Sequence, residues 1–156
     1  MTGEKLFNSV DELLPHSGQM VLITDVLDWG DDWLEASVDH RRASSFRNTD
    51  GSIPAWNGME YMSQAIGALV GVQAKQAGRP IRIGLLMGTR KYESAVHSFE
   101  KDSVLTVRVE EVFSDKTSLA MFGCRIFSGD VVLATAQIKA IMPDNIASVL
   151  GGMMDV

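Results

Sequence analysis

The chain has 156 residues, which suits a single domain, and its 46% hydrophobic and 22% charged residues are typical of a globular protein. Its net charge of −6 argues against binding to nucleic acid or to an anionic membrane surface, and its lone cysteine, Cys124, excludes an intrachain disulfide. No signal peptide or membrane-spanning run is predicted, so we expect a soluble, cytoplasmic domain over residues 1–156 with a C-terminal tail at 143–156.

The N-terminal third predicts a short helix and then a pair of strands. Ser9 and Glu12 form a capping box, which favours a helix that starts there and ends before Pro15. Apolar and β-branched residues then predict two strands, at 21–28 and 33–38. A turn is predicted between them at 30–32, and a long loop follows at 39–53.

Residues 56–76 predict one long buried helix. Apolar residues recur at helical spacing, and small residues fill most of the remaining positions. At a rise of roughly 1.5 Å per residue the helix spans about 30 Å, the width of a small domain. Three glycines inside it disfavour a helix by roughly 1 kcal/mol each, so close packing against another segment is expected.

The C-terminal half predicts strands alone. Four extended stretches lie near residues 81–92, 103–113, 117–127 and 131–142. Leu105, Val107 and Val109 alternate with polar residues, as on a strand with one buried face. The whole pattern predicts an α+β fold in which an antiparallel sheet packs on a single apolar helix.

Several passages resemble the β-hydroxyacyl-[acyl-carrier-protein] dehydratases, whose hotdog fold wraps a sheet around one long helix. The passages are the LLPH run that ends at His16, residues 20–26, the segment 53–65 on the central helix, residues 84–91 together with 99–103, and the last two strands. The loop 46–54 departs from the family pattern because it is shorter and lacks the family's histidine. This loop resembles that of the divergent subunits found in aryl-polyene pigment clusters.

The resemblance implies dehydration of a 3-hydroxyacyl thioester by acid–base chemistry, with no metal and no soluble cofactor, on a substrate delivered by phosphopantetheine. Removing an α-proton and protonating the leaving hydroxyl requires one base and one acid. Glu60 and His16 are the candidate catalytic pair. The candidate substrate-binding residues are Gln64, Trp56, Met59 and Pro54, although core filling explains the Trp and Met equally well. Gln64 follows Glu60 by one helical turn, so it is placed to orient the carboxylate.

The other polar candidates have structural explanations. We expect His40 and His97 to be structural or surface histidines, and Asp50 to be a turn residue. The basic cluster of Arg41, Arg42 and Arg47 is a candidate docking site for an acidic acyl carrier protein, and solvated loop charge is the alternative.

Three functions therefore remain open. The first is a 3-hydroxyacyl-carrier-protein dehydratase, and the second is an acyl thioesterase in which Glu60 activates water. The third is a non-catalytic or half-catalytic subunit of a heterodimeric dehydratase. An open sheet edge favours a dimer joined edge to edge, with a second copy or with a related hotdog subunit.

Overall fold

The structure is a computed structural model that describes residues 7, 9, 12–13, 22–41, 47–78, 86–114 and 119–141. The predicted tail at 143–156 and most of the predicted N-terminal helix lie outside these ranges. The elements are β1 (Asp25–Trp29), β2 (Trp33–Asp39), β3 (Ile53–Pro54), α1 (Asn57–Gln76), β4 (Leu86–Ser94), β5 (Ser98–Phe99), β6 (Val104–Ser114), β7 (Leu119–Ser128) and β8 (Val131–Ile141).

Six of the strands form one antiparallel sheet, in the order β1-β2-β6-β7-β8-β4. The helix α1 lies across β2, β6 and β7. On β6, Leu105, Val107 and Val109 are buried against it, as their alternation predicts. One helix on a large antiparallel sheet is the arrangement of the hotdog fold, which confirms the predicted fold class.

The first strand begins later than predicted, at Asp25 instead of residue 21. Thr24 already donates its N–H to the Ser37 carbonyl at 2.7 Å, but the two residues before it use their backbone differently. The N–H groups of Leu22 and Ile23 donate to the side chain of Gln64 on α1. At these two residues, a side chain of the helix therefore accepts the backbone hydrogen bonds that a neighbouring strand would otherwise accept.

A second, two-stranded sheet formed by β3 and β5 was not predicted from the sequence. Ile53 pairs with Phe99 and Pro54 with Ser98. Two-residue strands are too short to show the alternation from which strands are predicted. This small sheet fixes the chain immediately before α1.

The N-terminal segment contacts α1 at Gly71. A Cβ added at Gly71 would lie 2.6 Å from the backbone oxygen of Leu13, a side chain that is itself fully buried. Glycine is required here because the two backbones approach so closely. At Ser9 the predicted capping box is present in part, since Glu12 Oε2 accepts the Ser9 N–H at 3.2 Å.

Within the described ranges, no helical segment combines the length and apolar character needed to cross a membrane. The same part of the chain brings together no cluster of three or more His, Cys, Asp or Glu side chains that could hold a metal ion.

Candidate active site

Glu60 lies in the first turn of α1 and its side chain is exposed. The Gln64 Nε2 donates a hydrogen bond to Glu60 Oε1 at 3.3 Å, one helical turn further along. This contact, predicted from the spacing of the two residues, restricts the orientation of the carboxylate. In the described part of the chain Glu60 forms no other hydrogen bond.

The amide of Gln64 is itself fixed by the backbone before β1. Its Oε1 accepts the N–H of Leu22 at 2.7 Å and that of Ile23 at 3.2 Å, and the side chain is only 3% exposed. Both partners are donors, so the amide oxygen must face them and the amide nitrogen must face Glu60. Gln64 therefore joins the N-terminal segment to the carboxylate, a link that sequence periodicity does not reveal.

Three of the candidate substrate-binding residues lie at the entry to the helix. Pro54 is buried within β3, and Met59 is half-buried in the first turn of α1. Trp56 stands at the N-cap position and forms no side-chain capping bond. Its side chain is 56% exposed, so core filling does not explain it. An exposed indole thus stands one helical turn before Glu60.

His40 is a fully buried structural histidine, as expected. Its Nδ1 lies 3.0 Å from Ser103 Oγ and its Nε2 lies 3.1 Å from the Tyr61 hydroxyl. Because Ser103 Oγ donates to the Glu100 carbonyl, we assign the ring proton to Nδ1 and the acceptor role to Nε2. Burial lowers the pKa of His40 below its ordinary value of 6.5, which keeps the ring neutral at physiological pH.

In the described part of the chain, His97 forms no hydrogen bond with Glu60. His97 is exposed in the turn between β4 and β5, where its carbonyl accepts the Ala55 N–H at 3.0 Å. The catalytic prediction for His16 falls outside the described residues. The predicted pairing of His16 with Glu60 therefore stays a prediction.

The arginines proposed for docking form internal contacts. Arg41 pairs with Asp39 through two bonds of 2.9 Å, and its side chain is 63% exposed. Arg47 is half-buried and donates to the carbonyls of His40 and Gly51, so it holds the loop before β3 together. Arg42 lies outside the described residues.

Asp50 is a turn residue, as predicted. Its carboxylate accepts the Ser52 N–H at 2.9 Å and the Ser52 hydroxyl at 2.6 Å, and these bonds lower the pKa of Asp50. Gly51 follows with a φ of 89°, a conformation that favours glycine.

A family model described as ApeP dehydratase, of the ApeP-like family, matches residues 8–151. This chain belongs to the ApeP-like family. The match spans the helix, both sheets and the N-terminal segment that anchors Gln64, so the resemblance seen in the sequence is confirmed.

The ApeP-like assignment agrees with a solved structure titled the dehydratase heterocomplex ApeI:P from Xenorhabdus doucetiae. The match has a TM-score of 0.84 at 28% identity and covers 94% of this chain and 98% of that chain. More distant matches share the fold alone. A hypothetical thioesterase with coenzyme A from Streptococcus pneumoniae has a TM-score of 0.53 at 14% identity, covering 75% of this chain and 83% of that one. An uncharacterized protein from Pyrococcus horikoshii has a TM-score of 0.60 at 6% identity, with coverages of 86% and 94%. Among curated proteins, none matches this chain.

Proposed function

We propose that this chain is one subunit of a two-subunit hotdog dehydratase that removes water from a 3-hydroxyacyl thioester carried on acyl carrier protein. The observation that carries the proposal is the exposed Glu60 carboxylate, held by a Gln64 amide whose orientation is fixed by the backbone. Membership of a dehydratase family and the similarity to a dehydratase heterocomplex support the reaction and the two-subunit assembly. The resemblance to aryl-polyene subunits suggests a polyene-type acyl chain.

In the proposed reaction, Glu60 takes a proton from the α-carbon and His16 gives a proton to the leaving β-hydroxyl. The Cα–H and Cβ–O bonds break, the Cα–Cβ double bond forms, and water leaves. Gln64 contributes by holding the Glu60 carboxylate in one orientation, and a fixed orientation of the base lowers the barrier. Trp56, which is exposed and precedes Glu60 by one helical turn, is placed to contact the acyl chain.

A partner subunit is proposed for two reasons. The family's loop histidine is absent from residues 46–54, and within the described residues no histidine forms a hydrogen bond with Glu60. If His16 is not the second proton-transfer group, that group must come from the partner. This outcome would make the chain the half-catalytic subunit of the pair.

Carrier-protein docking is proposed at the basic loop, with Arg41 as its most accessible described residue. The exposed guanidinium of Arg41 is paired with Asp39, so an acidic carrier protein has to compete with this carboxylate. Replacement of Arg41 by Ala is expected to raise the KM for acyl carrier protein while leaving kcat unchanged, and the effect should shrink at high salt.

The decisive assay measures dehydration of 3-hydroxyacyl carrier protein by the purified chain, by a related hotdog dehydratase subunit of the same organism, and by the two co-expressed. We expect full turnover only with both. Glu60→Gln in this chain should reduce turnover by the complex roughly 10²–10⁴-fold with an unchanged melting temperature. Glu110→Gln, on the opposite face of the sheet, is the matched control.

Full activity of the Glu60→Gln complex would make this chain the non-catalytic subunit. Hydrolysis of saturated acyl carrier protein, without dehydration of the hydroxyacyl form, would instead favour the thioesterase.

A further inference from the structure

Tyr92 connects an edge of the sheet to the entry of the helix. It lies in β4, the last strand on one side of the six-stranded sheet, and its ring is half-buried. Its hydroxyl donates a hydrogen bond to the carbonyl of Ala55, the second residue before α1. The same carbonyl accepts the Gly58 N–H at 2.9 Å. One carbonyl oxygen is therefore shared by the edge strand and the first turn of the helix.

The contact between Tyr92 and this turn is close-packed. A Cβ added at Gly58 would overlap the Tyr92 hydroxyl, and it would also lie 2.9 Å from the Cδ1 of Ile126. Only a residue without a side chain fits between the strand and the helix. Because no free space separates Tyr92 from Gly58, we expect a displacement of β4 to displace the start of α1.

The backbone N–H of Ala55 is also hydrogen-bonded to the part of the chain around β4. It donates to the carbonyl of His97 at 3.0 Å, and Pro54 pairs with Ser98 in the small sheet. His97 and Ser98 lie three and four residues after the end of β4. Both polar backbone groups of Ala55 are thus held by β4 and the turn after it, and Glu60 lies five residues further on.

Of the two edge strands of the large sheet, β4 is better suited to pair with another chain. It has nine residues, and in the part of the chain that the structure describes no strand pairs with its outer side. The opposite edge, β1, has only five residues, and each edge strand carries one register shift, between Val26 and Asp28 in β1 and between Thr89 and Lys91 in β4. The Asp28 carboxylate also accepts the N–H of Trp29 at 2.8 Å, so this N–H is less available to pair with another strand.

On the basis of the proposed two-subunit dehydratase, we propose that Tyr92 is a positioning residue that couples docking of the partner subunit on β4 to the placement of Glu60. A partner strand paired with β4 restricts the motion of that strand. Tyr92 passes the restriction to Ala55, and the turn that carries Glu60 becomes ordered. Burial raises the pKa of Tyr92 to about 12, so the hydroxyl keeps its proton and its role as donor at physiological pH.

Amide hydrogen exchange tests the coupling without any need for turnover. In the wild-type protein, adding the partner subunit should slow exchange at residues 55–60 as well as along β4. In Tyr92→Phe, which loses only the hydroxyl, β4 should still be protected while most of the protection at 55–60 is lost. The kcat of this complex should fall roughly tenfold with KM within about twofold of wild type, since a misplaced catalytic group slows chemistry.

Glu93→Gln is the matched control. Glu93 also lies in β4, but as the neighbour of Tyr92 along the strand it points to the other face of the sheet, where its exposed carboxylate pairs with Lys91 at 3.5 Å. This variant should keep the wild-type exchange pattern and kcat.

Retention of both the partner-induced protection at 55–60 and the full kcat in Tyr92→Phe would overturn the proposal. If Tyr92→Phe no longer assembles with the partner while the control variant does, the proposal is also overturned, because Tyr92 is then an interface residue. If partner binding protects residues 55–60 through Tyr92 but no dehydration occurs, the coupling stands and the proposed reaction fails.

Discussion

Replacing Gln64 separates its two roles, because one end of the amide contacts the backbone and the other contacts Glu60. Gln64→Leu removes the acceptor of the Leu22 and Ile23 N–H groups, the second of which belongs to a residue that is 1% exposed. An unsatisfied buried backbone group costs about 1–3 kcal/mol, so the loss of both acceptors, for one partly buried and one buried N–H, should lower the free energy of unfolding by about 2–4 kcal/mol. For a domain of this size the melting temperature should fall by roughly 5–12 °C.

Gln64→Glu keeps both acceptor contacts but removes the amide donor. A second carboxylate then lies beside Glu60, where the Nε2 donor was at 3.3 Å. We expect the melting temperature to fall much less than in Gln64→Leu, while the turnover of the two-subunit enzyme falls roughly tenfold or more because the base is no longer held.

The assays are thermal unfolding of the purified chain and steady-state dehydration by the complex. Gln73→Leu is the control, because Gln73 lies on the same helix and donates to the Asp31 carbonyl at 3.1 Å in an exposed position. Its unfolding free energy should stay within about 0.5 kcal/mol of wild type. The reasoning is refuted if Gln64→Leu is as stable as this control, or if Gln64→Glu unfolds as readily as Gln64→Leu.

The remaining predictions concern protonation, catalysis and assembly. Because burial lowers the pKa of His40, the folded state binds a proton there less readily than the unfolded state does. The stability that is present above pH 6.5 should therefore be lost as the pH falls below that value. Melting curves recorded against pH check this, and His40→Gln should not show this loss of stability at acid pH. Burial raises the pKa of Cys124 to about 12, so a thiol reagent at pH 8 should modify it only after unfolding, as mass spectrometry can measure. His16→Gln should lower turnover roughly 10²–10⁴-fold if this chain supplies both catalytic groups, and little if the partner supplies one. Sedimentation at micromolar concentration should find a dimer, and a stable monomer in the presence of the partner would contradict edge-to-edge assembly.

The large elements were predictable because each carries a long, regular pattern. The helix was predicted at 56–76 and is observed at Asn57–Gln76, and the alternation of Leu105, Val107 and Val109 gave the buried face of β6. The small β3–β5 sheet and the late start of β1 were not predictable. They depend on hydrogen bonds between segments far apart in the chain, such as the bond from Leu22 to Gln64, 42 residues away.

In the candidate site, too, local contacts were predictable and long-range contacts were not. The four-residue spacing of Glu60 and Gln64 is local, so their contact was predicted correctly. His40 was predicted only to be a structural or surface histidine, and the choice between the two depends on the fold, which buries the ring and brings Ser103 and Tyr61 to its two nitrogens. The exposure of Trp56 was not predictable, because an indole beside a buried helix suits a core position equally well.

The contact of Leu13 with Gly71, together with the anchoring of Gln64 by residues 22 and 23, has a consequence for engineering this protein. The described residues before β1 thus contact α1 at two places, Leu13 at Gly71 and residues 22 and 23 at Gln64. A deletion made up to the first strand would uncover one side of α1 and release the Gln64 amide. Shortened versions designed for expression should therefore keep this segment.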